Sequence, residues 1–427
     1  MIEQATISQA ATDSRDTESC DVVIIGGGLA GLTEAIALAS HGISVAVIDR
    51  EDPVRATQAA FDGRVSAIAL ASQRMLEAIG LWRHVREAQP MWDIRVSDGD
   101  SLLFVHYDHR DLGDAPFGYM VENRVMRLAQ QAALEELPAL RLFAPMSVSR
   151  IERGTPGSGA PAMVELEDGR RLHARLVIGA DGRQSMVREQ AGIKTVTWAY
   201  DQTGIVCTVA HELPHEGAAQ ERFLPAGPFA ILPMTDDENG IHRSSLVWTE
   251  PTGRAKAIMA LTDADFQAEM RRRFGDGYGE AHVVGPRWSY PLSFLHAERY
   301  TDHRLALIGD AAHGIHPIAG QGLNLGLRDI AALTEALVDA KRLGLDLGQA
   351  DVLERYARWR RTDTLVLSAV TDGLTRLFSN DIVPVRIVRD LGLGIVDRIL
   401  PLKKFFMRHA MGDVGTLPRL LKGERLG

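Results

Sequence analysis

The chain has 427 residues, of which 45% are hydrophobic and 24% charged, as is ordinary for a soluble globular protein. Its 47 Lys and Arg against 56 Asp and Glu give a net charge of −9, which argues against nucleic-acid binding. Only Cys20 and Cys207 are present, which leaves no disulfide framework and no cysteine-based zinc site. The acidic N-terminus lacks a signal-peptide pattern, and no apolar run has the length of a spanning helix. We therefore expect a cytoplasmic protein, at most peripheral to an inner membrane.

Hydrophobic periodicity predicts an α/β protein in which strands and helices alternate along much of the chain. Residues 1–19 form a polar tail that we expect to be disordered. Single strands are predicted at 21–25, 43–48 and 305–308. Short strands are predicted within 146–178, with a hairpin at Asp168-Gly169, and further strands through most of 203–290. The predicted helices are 29–41, 66–80, 122–136, 262–274, 322–343 and, with breaks near Asn380 and Pro401, the chain beyond 351.

The first strand, helix and second strand have the length of a βαβ unit and carry the pattern Gly26-x-Gly28-x-x-Gly31. In a dinucleotide-binding unit the first glycine permits a tight turn, and the second lets the backbone approach a pyrophosphate. The third allows close packing of helix on strand, and the helix start offers its amides to the phosphates. Asp49 ends the second strand, where an acid would hold a ribose. The set predicts dinucleotide binding, and the alternative is an ordinary glycine turn.

Two further motifs place a carboxylate beside a glycine at the end of a strand. Asp181-Gly182, within IGADGRQS, would by itself be only a turn. Gly309-Asp310 follows the strand at 305–308 and leads through Pro317 to a glycine-rich turn at a helix start. This third motif is a second place at which a polyol-bearing cofactor could be held, far along the chain from the first.

In this order the three motifs resemble those of the FAD-dependent aromatic monooxygenases of the para-hydroxybenzoate hydroxylase type. More narrowly, DGRVSA at 62–67, GYMVENR at 118–124 and the segment 309–329 resemble the ubiquinone-biosynthesis hydroxylases. The resemblance covers about residues 20–410 and implies a Rossmann-type FAD-binding domain interleaved with a β-sheet substrate domain, plus C-terminal helices. The implied boundaries are 1–19 for the tail, 20–90 with 118–200 and 291–345 for the FAD-binding domain, 91–117 with 201–290 for the substrate domain, and 346–427 for the C-terminal helical region.

By matching position, the resemblance assigns a set of residues to FAD. They are Gly26, Gly28, Leu29, Ala30, Gly31, Asp49, Arg50, Arg64, Ser66, Arg124, Asp181, Gly182, Gly309, Asp310, Pro317, Gly320, Gly322, Leu323 and Asn324. Within this set, Asp49 would hold the adenosine ribose, although the family usually has Glu there. Asp310 would accept a hydrogen bond from the ribityl chain, and Arg64 and Ser66 would lie beside the flavin. Asp181-Gly182 would support the pyrophosphate and the transient nicotinamide cofactor. The helix start at 322–324 would present amides to the flavin N1–C2=O edge, where negative charge develops.

The activity that the resemblance implies is hydroxylation of the aromatic ring of a polyprenylated phenol in ubiquinone biosynthesis. NAD(P)H would reduce FAD, O2 would add to form a flavin C4a-hydroperoxide, and OH would pass to the ring. Two alternatives stay open: a same-fold flavoenzyme of other chemistry, such as a prenyl reductase or another phenol hydroxylase, and a non-catalytic FAD-binding component of a biosynthetic complex. A homodimer or a quinone-synthesis complex is also compatible with the sequence.

The remaining candidates have less distinctive patterns. His313 and His316 are spaced like metal ligands, but a Gly/Pro-rich turn does not fix them on one face, so we expect no metal. His313 is predicted to be a packing residue, with contact to substrate or flavin as the alternative for it and for Pro317. Four aromatic residues are predicted to be core rather than a substrate platform, although the strand that bears Trp288 could line the pocket: Trp82, Trp92, Trp288 and Tyr290.

Near the C-terminus an apolar stripe accompanies a locally basic composition. The stripe residues are Ile387, Leu391, Ile395, Ile399, Leu402 and Phe406. Between 384 and 427, nine basic residues face four acidic ones, a net +5 on a chain whose total is −9. Such a stripe could dock on an anionic bilayer, or it could pack on the flavin domain or at a subunit interface.

Overall fold

The computed structural model describes residues 17–58, 63–99, 104–315, 321–361 and 397–427. Their strands form two large sheets and one small one, and helices cover the sheets. Cys20 and Cys207 are unpaired and lie in different sheets. The α/β class predicted from the sequence is confirmed.

The first sheet has a parallel centre, as the βαβ pattern predicted. In spatial order its strands are Thr301–Asp302 (β17), Leu305–Leu307 (β18), Arg171–Gly179 (β11), Thr17–Ile25 (β1), Val45–Ile48 (β2) and Leu140–Phe143 (β8). Ala162–Leu166 (β10) pairs antiparallel with β11, and Val148–Glu152 (β9) pairs antiparallel with β10. Both faces of the central strands are buried, which explains their continuous apolar runs. Because β1 begins at Thr17, residues 17–19 pair with β11 and are not part of a disordered tail; residues 1–16 lie outside the described chain.

The helices associated with this part of the fold are Leu29–Ala39 (α1), Pro53–Gln58 (α2), Leu70–Ala78 (α3), Asn123–Glu135 (α4), Met186–Gln190 (α5) and Gln321–Arg342 (α8). Of these, α1 packs directly on β1, β2 and β8 and also contacts α4 and α8. The predicted helix at 66–80 is wrong in its first third, where Val65–Ala69 (β3) is a strand. It pairs with Gly118–Glu122 (β7), and β7 pairs in turn with Gln89–Met91 (β4), which makes the small sheet. The strand is stabilised by this distant partner, which local periodicity does not reveal.

The second sheet has eight strands and is largely antiparallel. Their spatial order is His313–Gly314 (β19), Ala281–Ala297 (β16), Thr195–His211 (β12), His242–Pro251 (β15), Gly227–Met234 (β14), Ala218–Leu224 (β13), Asp93–Asp98 (β5) and Phe104–Asp108 (β6). Thr252–Met259 (α6) and Asp263–Phe274 (α7) contribute to the apolar core on one face. Helix α7 agrees with the prediction, whereas α6 was missed inside a segment dominated by strands. Strands β12 and β16 extend across the predicted domain boundaries at 200 and 291.

The C-terminal part adds a helix over 350–361 (α9), Leu400–Ala410 (α10) and a short 3-10 turn at Arg419–Lys422. Pro401 lies in the first turn of α10, which agrees with the predicted break; Asn380 lies outside the described residues. From α8, the Arg328 guanidinium donates to the carbonyls of Gly412 and Val414 at 2.8 and 3.1 Å. None of the helices in the described ranges is long and apolar enough to cross a membrane.

Candidate cofactor site

The three glycine-rich motifs follow three adjacent parallel strands, β1, β11 and β18, and meet at one edge of the first sheet. Gly26 has φ +106°, and a Cβ built on it would overlap the carbonyl of Ala180 in the second motif. A Cβ on Gly31 would overlap the carbonyl oxygen of Gly26. Ala180 N donates to Ile25 O at 2.8 Å, which fixes the second turn against the first. Gly26 and Gly31 are therefore required by backbone packing.

Gly28 is different, because its side-chain position is open. It is the N-cap of α1, with φ −69° and ψ −175°, and no side chain of the described residues caps the helix. A Cβ built there would meet no atom of the described chain within 4 Å. The amides of Leu29 and Ala30 begin the helix, so its positive dipole end faces free space. A pyrophosphate fits this geometry.

Asp49 lines a shallow depression together with Gly27, Leu32 and Thr57. Its Oδ2 accepts a hydrogen bond from the amide of Gly27, and its Oδ1 accepts one from Glu51 at 2.7 Å. The carboxylate is thus held at the end of β2, with lone pairs left for a ribose hydroxyl. The neighbouring Arg50 is exposed.

The second motif holds a carboxylate oxygen with no partner among the described residues. Asp181 Oδ2 accepts from the amide of Val187 at 3.1 Å, but its Oδ1 is buried and accepts no hydrogen bond from that part of the chain. A buried, unpaired acceptor is costly, so this atom suits a ligand donor. Gly182 has φ +82° and open space at its Cβ position. Arg188, on α5, donates to Ala311 O at 2.8 Å and so joins the second motif to the third.

In the third motif, Gly309 has φ +57°, and a Cβ on it would lie 3.3 Å from the Cβ of Ala30, at the first motif. The side chain of Asp310 is 56% exposed, with one carboxylate oxygen 3.9 Å from Arg183 Nε. Asp310 lies inside a 3-10 turn whose N-cap is Ile308, so it is not itself the N-cap. Its carboxylate can thus receive a donor from a ligand.

At the start of α8, Gly322 is exposed and Leu323 half-buried, whereas Asn324 is buried. The Asn324 side chain accepts from Ala69 N and donates to Ala67 O, both at 2.8 Å. This clamp between α8 and β3 was not anticipated, since the prediction concerned only the Asn324 backbone amide. Pro317 and Gly320 lie outside the described residues.

Other predicted residues approach the site from the small sheet. Ser66 Oγ donates to Asn123 Oδ1 at 2.7 Å, and Arg124 Nε donates to the carbonyl of Thr57 at 3.2 Å. The Arg64 guanidinium lies 5.6 Å from the ring centre of Trp288, a cation–π contact that spans β3 and the second sheet.

Trp288 and Tyr290 are exposed by 42% and 37%, so the prediction that they are core residues was wrong. They pair with Val206 and Gly204, on the face of the second sheet opposite the one that α6 and α7 cover. Trp82 and Trp92 are half-buried and pack against Tyr119 and His109, with ring centres 5.1 and 4.8 Å apart.

His313 is 2% exposed, and its Nε2 lies 2.6 Å from Asp329 Oδ2. It is thus a buried packing residue, as predicted; its candidate partner ligand His316 lies outside the described residues. Within the described chain, one group of three potential metal ligands comes within 4.8 Å, formed by Asp93, Asp108 and His109 in the second sheet. There Arg110 already pairs with Asp108. Asp329 was not singled out from the sequence, although an acid at helical spacing from Leu325 and Leu333 was an available signal.

Comparison with known proteins decides the family. A family model described as an FAD binding domain matches residues 19–363. The chain is 54% identical over 410 residues to ubiquinone hydroxylase UbiL of Rhodospirillum rubrum, covering 95% of this chain and 93% of that protein. The chain belongs to the FAD-dependent hydroxylases of ubiquinone biosynthesis.

Two further matches agree with this hydroxylase family. The 3-demethoxyubiquinol 3-hydroxylase of Escherichia coli is 35% identical over 397 residues, covering 92% of this chain and 98% of that protein. The crystal structure of p-nitrophenol 4-monooxygenase PnpA from Pseudomonas putida has the same fold, with a TM-score of 0.74 and 21% identity, over 96% of this chain and 100% of that one. The predicted family, fold class and cofactor FAD are confirmed, while the roles of individual residues stay predictions.

Proposed function

We propose that this hydroxylase acts on the aromatic ring of a polyprenylated phenol in ubiquinone biosynthesis, with NAD(P)H and O2 as co-substrates. A ring C–H, O2, NAD(P)H and a proton would give a ring C–OH, water and NAD(P)+. The observation that carries the proposal is the contact of three glycine-rich turns at one sheet edge, in a chain similar over its length to UbiL.

The residues around this edge suit FAD, which supplies the redox and oxygen chemistry when bound. The α1 start at Gly28 would receive the pyrophosphate, Asp49 the ribose and Asp310 the ribityl chain. The α8 start at Gly322 would place positive helix-dipole charge where the reduced ring system becomes anionic. Gly28 and Gly322 leave open space at their Cβ positions among the described residues, Asp310 is 56% exposed, and Asp49 keeps lone pairs beyond those that accept from the amides of Gly27 and Glu51.

The exposed face of β16 offers a surface for the substrate ring. Trp288 and Tyr290 stand side by side on it, and the Arg64 guanidinium lies over the Trp288 ring. Flat aromatic side chains bind a phenol ring by stacking and exclude water from it. We propose this face as the wall of the ring pocket.

The activity is tested with the purified, flavin-loaded protein, a prenylated phenol, NAD(P)H and ¹⁸O2. One labelled oxygen atom in a hydroxylated product, formed one-to-one with NAD(P)H consumed, is the expected result. NAD(P)H oxidation that yields only hydrogen peroxide would favour the same-fold alternatives, and no oxidation at all would favour a non-catalytic component. Profiling of quinone intermediates in a deletion strain then identifies the ring carbon.

We also propose a peripheral contact with an anionic membrane, through an apolar patch formed by Phe104, Ile399, Leu400 and Phe405. These side chains are exposed by 49, 47, 48 and 51%. The patch spans the edge strand β6 and the start of α10, which are joined where His106 N donates to Asp397 Oδ1 at 3.2 Å. Large apolar side chains beside exposed Arg398 and Arg408 suit the headgroup region of an anionic bilayer.

The apolar stripe predicted from the sequence coincides only in part with this exposed apolar patch. Ile399 is exposed, Leu402 and Phe406 are half-buried, and the stripe positions before 397 lie outside the described residues. Another face of α10 packs inside the protein, because Met407 and the following Met411 are buried against the small sheet and α3. Docking and packing thus involve different faces of one helix.

Liposome co-sedimentation tests the patch. Binding to vesicles that contain an anionic lipid, and loss of binding in Phe405→Ser with Arg408→Glu, are expected. Lys403 is unsuitable for this test because its ammonium group lies 3.1 Å from Asp111 and fixes α10. Leu343→Ser, which alters a side chain 75% exposed elsewhere, is the matched control. Unchanged sedimentation of the double variant, or a dimer that dissociates in it, would contradict membrane docking.

A further inference from the structure

Asp329 is a fully buried carboxylate on α8, with 0% exposure, and it accepts three hydrogen bonds. Gly309 N donates to Oδ2 at 2.9 Å, His313 Nε2 lies 2.6 Å from the same oxygen, and Arg360 Nε donates to Oδ1 at 2.7 Å. A buried charge without such partners would strongly destabilise the folded protein. Burial alone would raise the pKa of Asp329, but the charges of His313 and Arg360 outweigh it and hold that pKa below its ordinary value.

The three donors come from three separate parts of the fold. Gly309 belongs to the turn after β18, His313 to β19 of the second sheet, and Arg360 to α9. Arg360 is itself 2% exposed, so the ion pair is sealed from water. One side chain therefore ties the first sheet, the second sheet and the C-terminal helices to α8.

The bond to Gly309 matters most for the cofactor site. Gly309 has φ +57° and immediately precedes Asp310, whose carboxylate points outward. The turn is bounded on one side by Ala30 of the first motif. Asp329 supports it from inside the protein and so sets where the Gly309–Ala311 turn presents its groups.

We propose that Asp329 is a positioning residue for FAD, which holds the Gly309–Asp310 turn in its binding geometry through the amide of Gly309 and the imidazole of His313. It does not touch the cofactor. The proposal rests on FAD as the cofactor and not on the reaction, because FAD affinity is measured without substrate. Its failure can therefore be distinguished from failure of ring hydroxylation.

The experiment compares FAD dissociation constants of the apoprotein with thermal stability, in variants measured well below their melting temperatures. Asp329→Asn is expected to weaken FAD binding roughly tenfold, because a charge-assisted acceptor is lost. The double variant Asp329→Leu/Arg360→Met replaces the ion pair by apolar side chains of similar volume, a change that often preserves stability. It should regain melting temperature but not FAD affinity, because the Gly309 amide still lacks its acceptor.

Glu250→Gln is the matched control. Glu250 is 1% exposed and is bound by Trp248 Nε1 at 2.8 Å and Arg273 Nη2 at 3.1 Å, beside α6 and α7. It should lower the melting temperature and leave FAD affinity unchanged. If the Asp329 variants do not fold, His313→Gln, which keeps the ion pair, should still weaken FAD binding and shift the visible spectrum of the bound flavin. FAD affinity and spectrum equal to the unmodified protein's, in any folded Asp329 or His313 variant, would overturn the proposal.

Discussion

Replacing Gly28 by valine should separate cofactor binding from folding. The backbone at Gly28 has φ −69° and ψ −175°, extended values that any residue can adopt, and a built Cβ meets no atom of the residues that the structure describes within 4 Å. Valine therefore fits the apoprotein. It does not fit the complex, because its methyl groups would enter the space in which α1 receives the pyrophosphate.

The magnitudes follow from the two states. In the apoprotein, valine restricts the unfolded chain more than glycine does, which stabilises the folded state by about 0.4–1 kcal/mol. A β-branched residue at a helix N-cap destabilises the folded state by a similar amount. The free energy of unfolding should thus change by less than about 1 kcal/mol. In the complex, overpacking by a branched side chain costs roughly 1–3 kcal/mol, which corresponds to about 5- to 150-fold weaker FAD binding.

The assay is flavin content after purification, followed by FAD titration of the apoprotein and thermal unfolding. The Gly28→Val protein should be folded and nearly colourless. Gly31→Ala is the informative comparison, because its Cβ would overlap the carbonyl oxygen of Gly26 and damage the fold itself. A Gly28→Val protein that purifies with full flavin would refute the assignment of the first motif.

Three further outcomes are expected. Asp310→Ala should weaken FAD binding about 10- to 150-fold, because a charge-assisted hydrogen bond is lost. Its melting temperature should barely change, because the side chain is 56% exposed. A lower melting temperature with unchanged FAD affinity would instead indicate a structural role. Burial lowers the pKa of His215, whose Nδ1 accepts from Gly217 N at 3.0 Å. Around this pKa the unfolded chain binds more protons than the folded one, so the stability that is present above about pH 6.5 is lost as the pH falls. In His215→Gln the melting temperature should therefore fall less steeply with decreasing pH. A melting temperature that falls with pH as steeply in the variant as in the unmodified protein would argue against this. Trp288→Ala should raise KM for the ring substrate roughly tenfold with FAD affinity unchanged, and an unaltered KM would exclude it from the pocket.

Much of the nucleotide-binding half could be predicted because its signals are local. The apolar runs at 21–25 and 43–48, the glycine spacing and the helix between them depend on neighbouring residues alone, and the structure has β1, α1 and β2 there. The same holds for α4 and α7, whose helical periodicity continues over three turns or more.

The features that were missed depend on partners far along the chain. Strand β3 exists because β7 pairs with it, and Trp288 is exposed because α6 and α7 cover the other face of its sheet. The side chain of Asn324 reaches Ala67 and Ala69, a contact that no local pattern announces. Asp329 could be recognised as unusual on an apolar helix face, but its three donors become apparent only when the fold is assembled.

The adjacency of β1, β11 and β18 has a consequence for how the protein is made. Thr17 pairs with Arg171, and Val177 with Leu305, so the sheet edge that carries all three turns is built from strands widely separated in synthesis. To pair such strands, the chain between them must first close into a long loop, and the entropy lost in closing it is regained only when the strand contacts form. Pairing of strands far apart in sequence is therefore slow. The capacity to capture a flavin therefore arises late and as a whole. Yellow colour in a purified preparation then reports a completed sheet, and a partly folded chain should not compete for the cofactor.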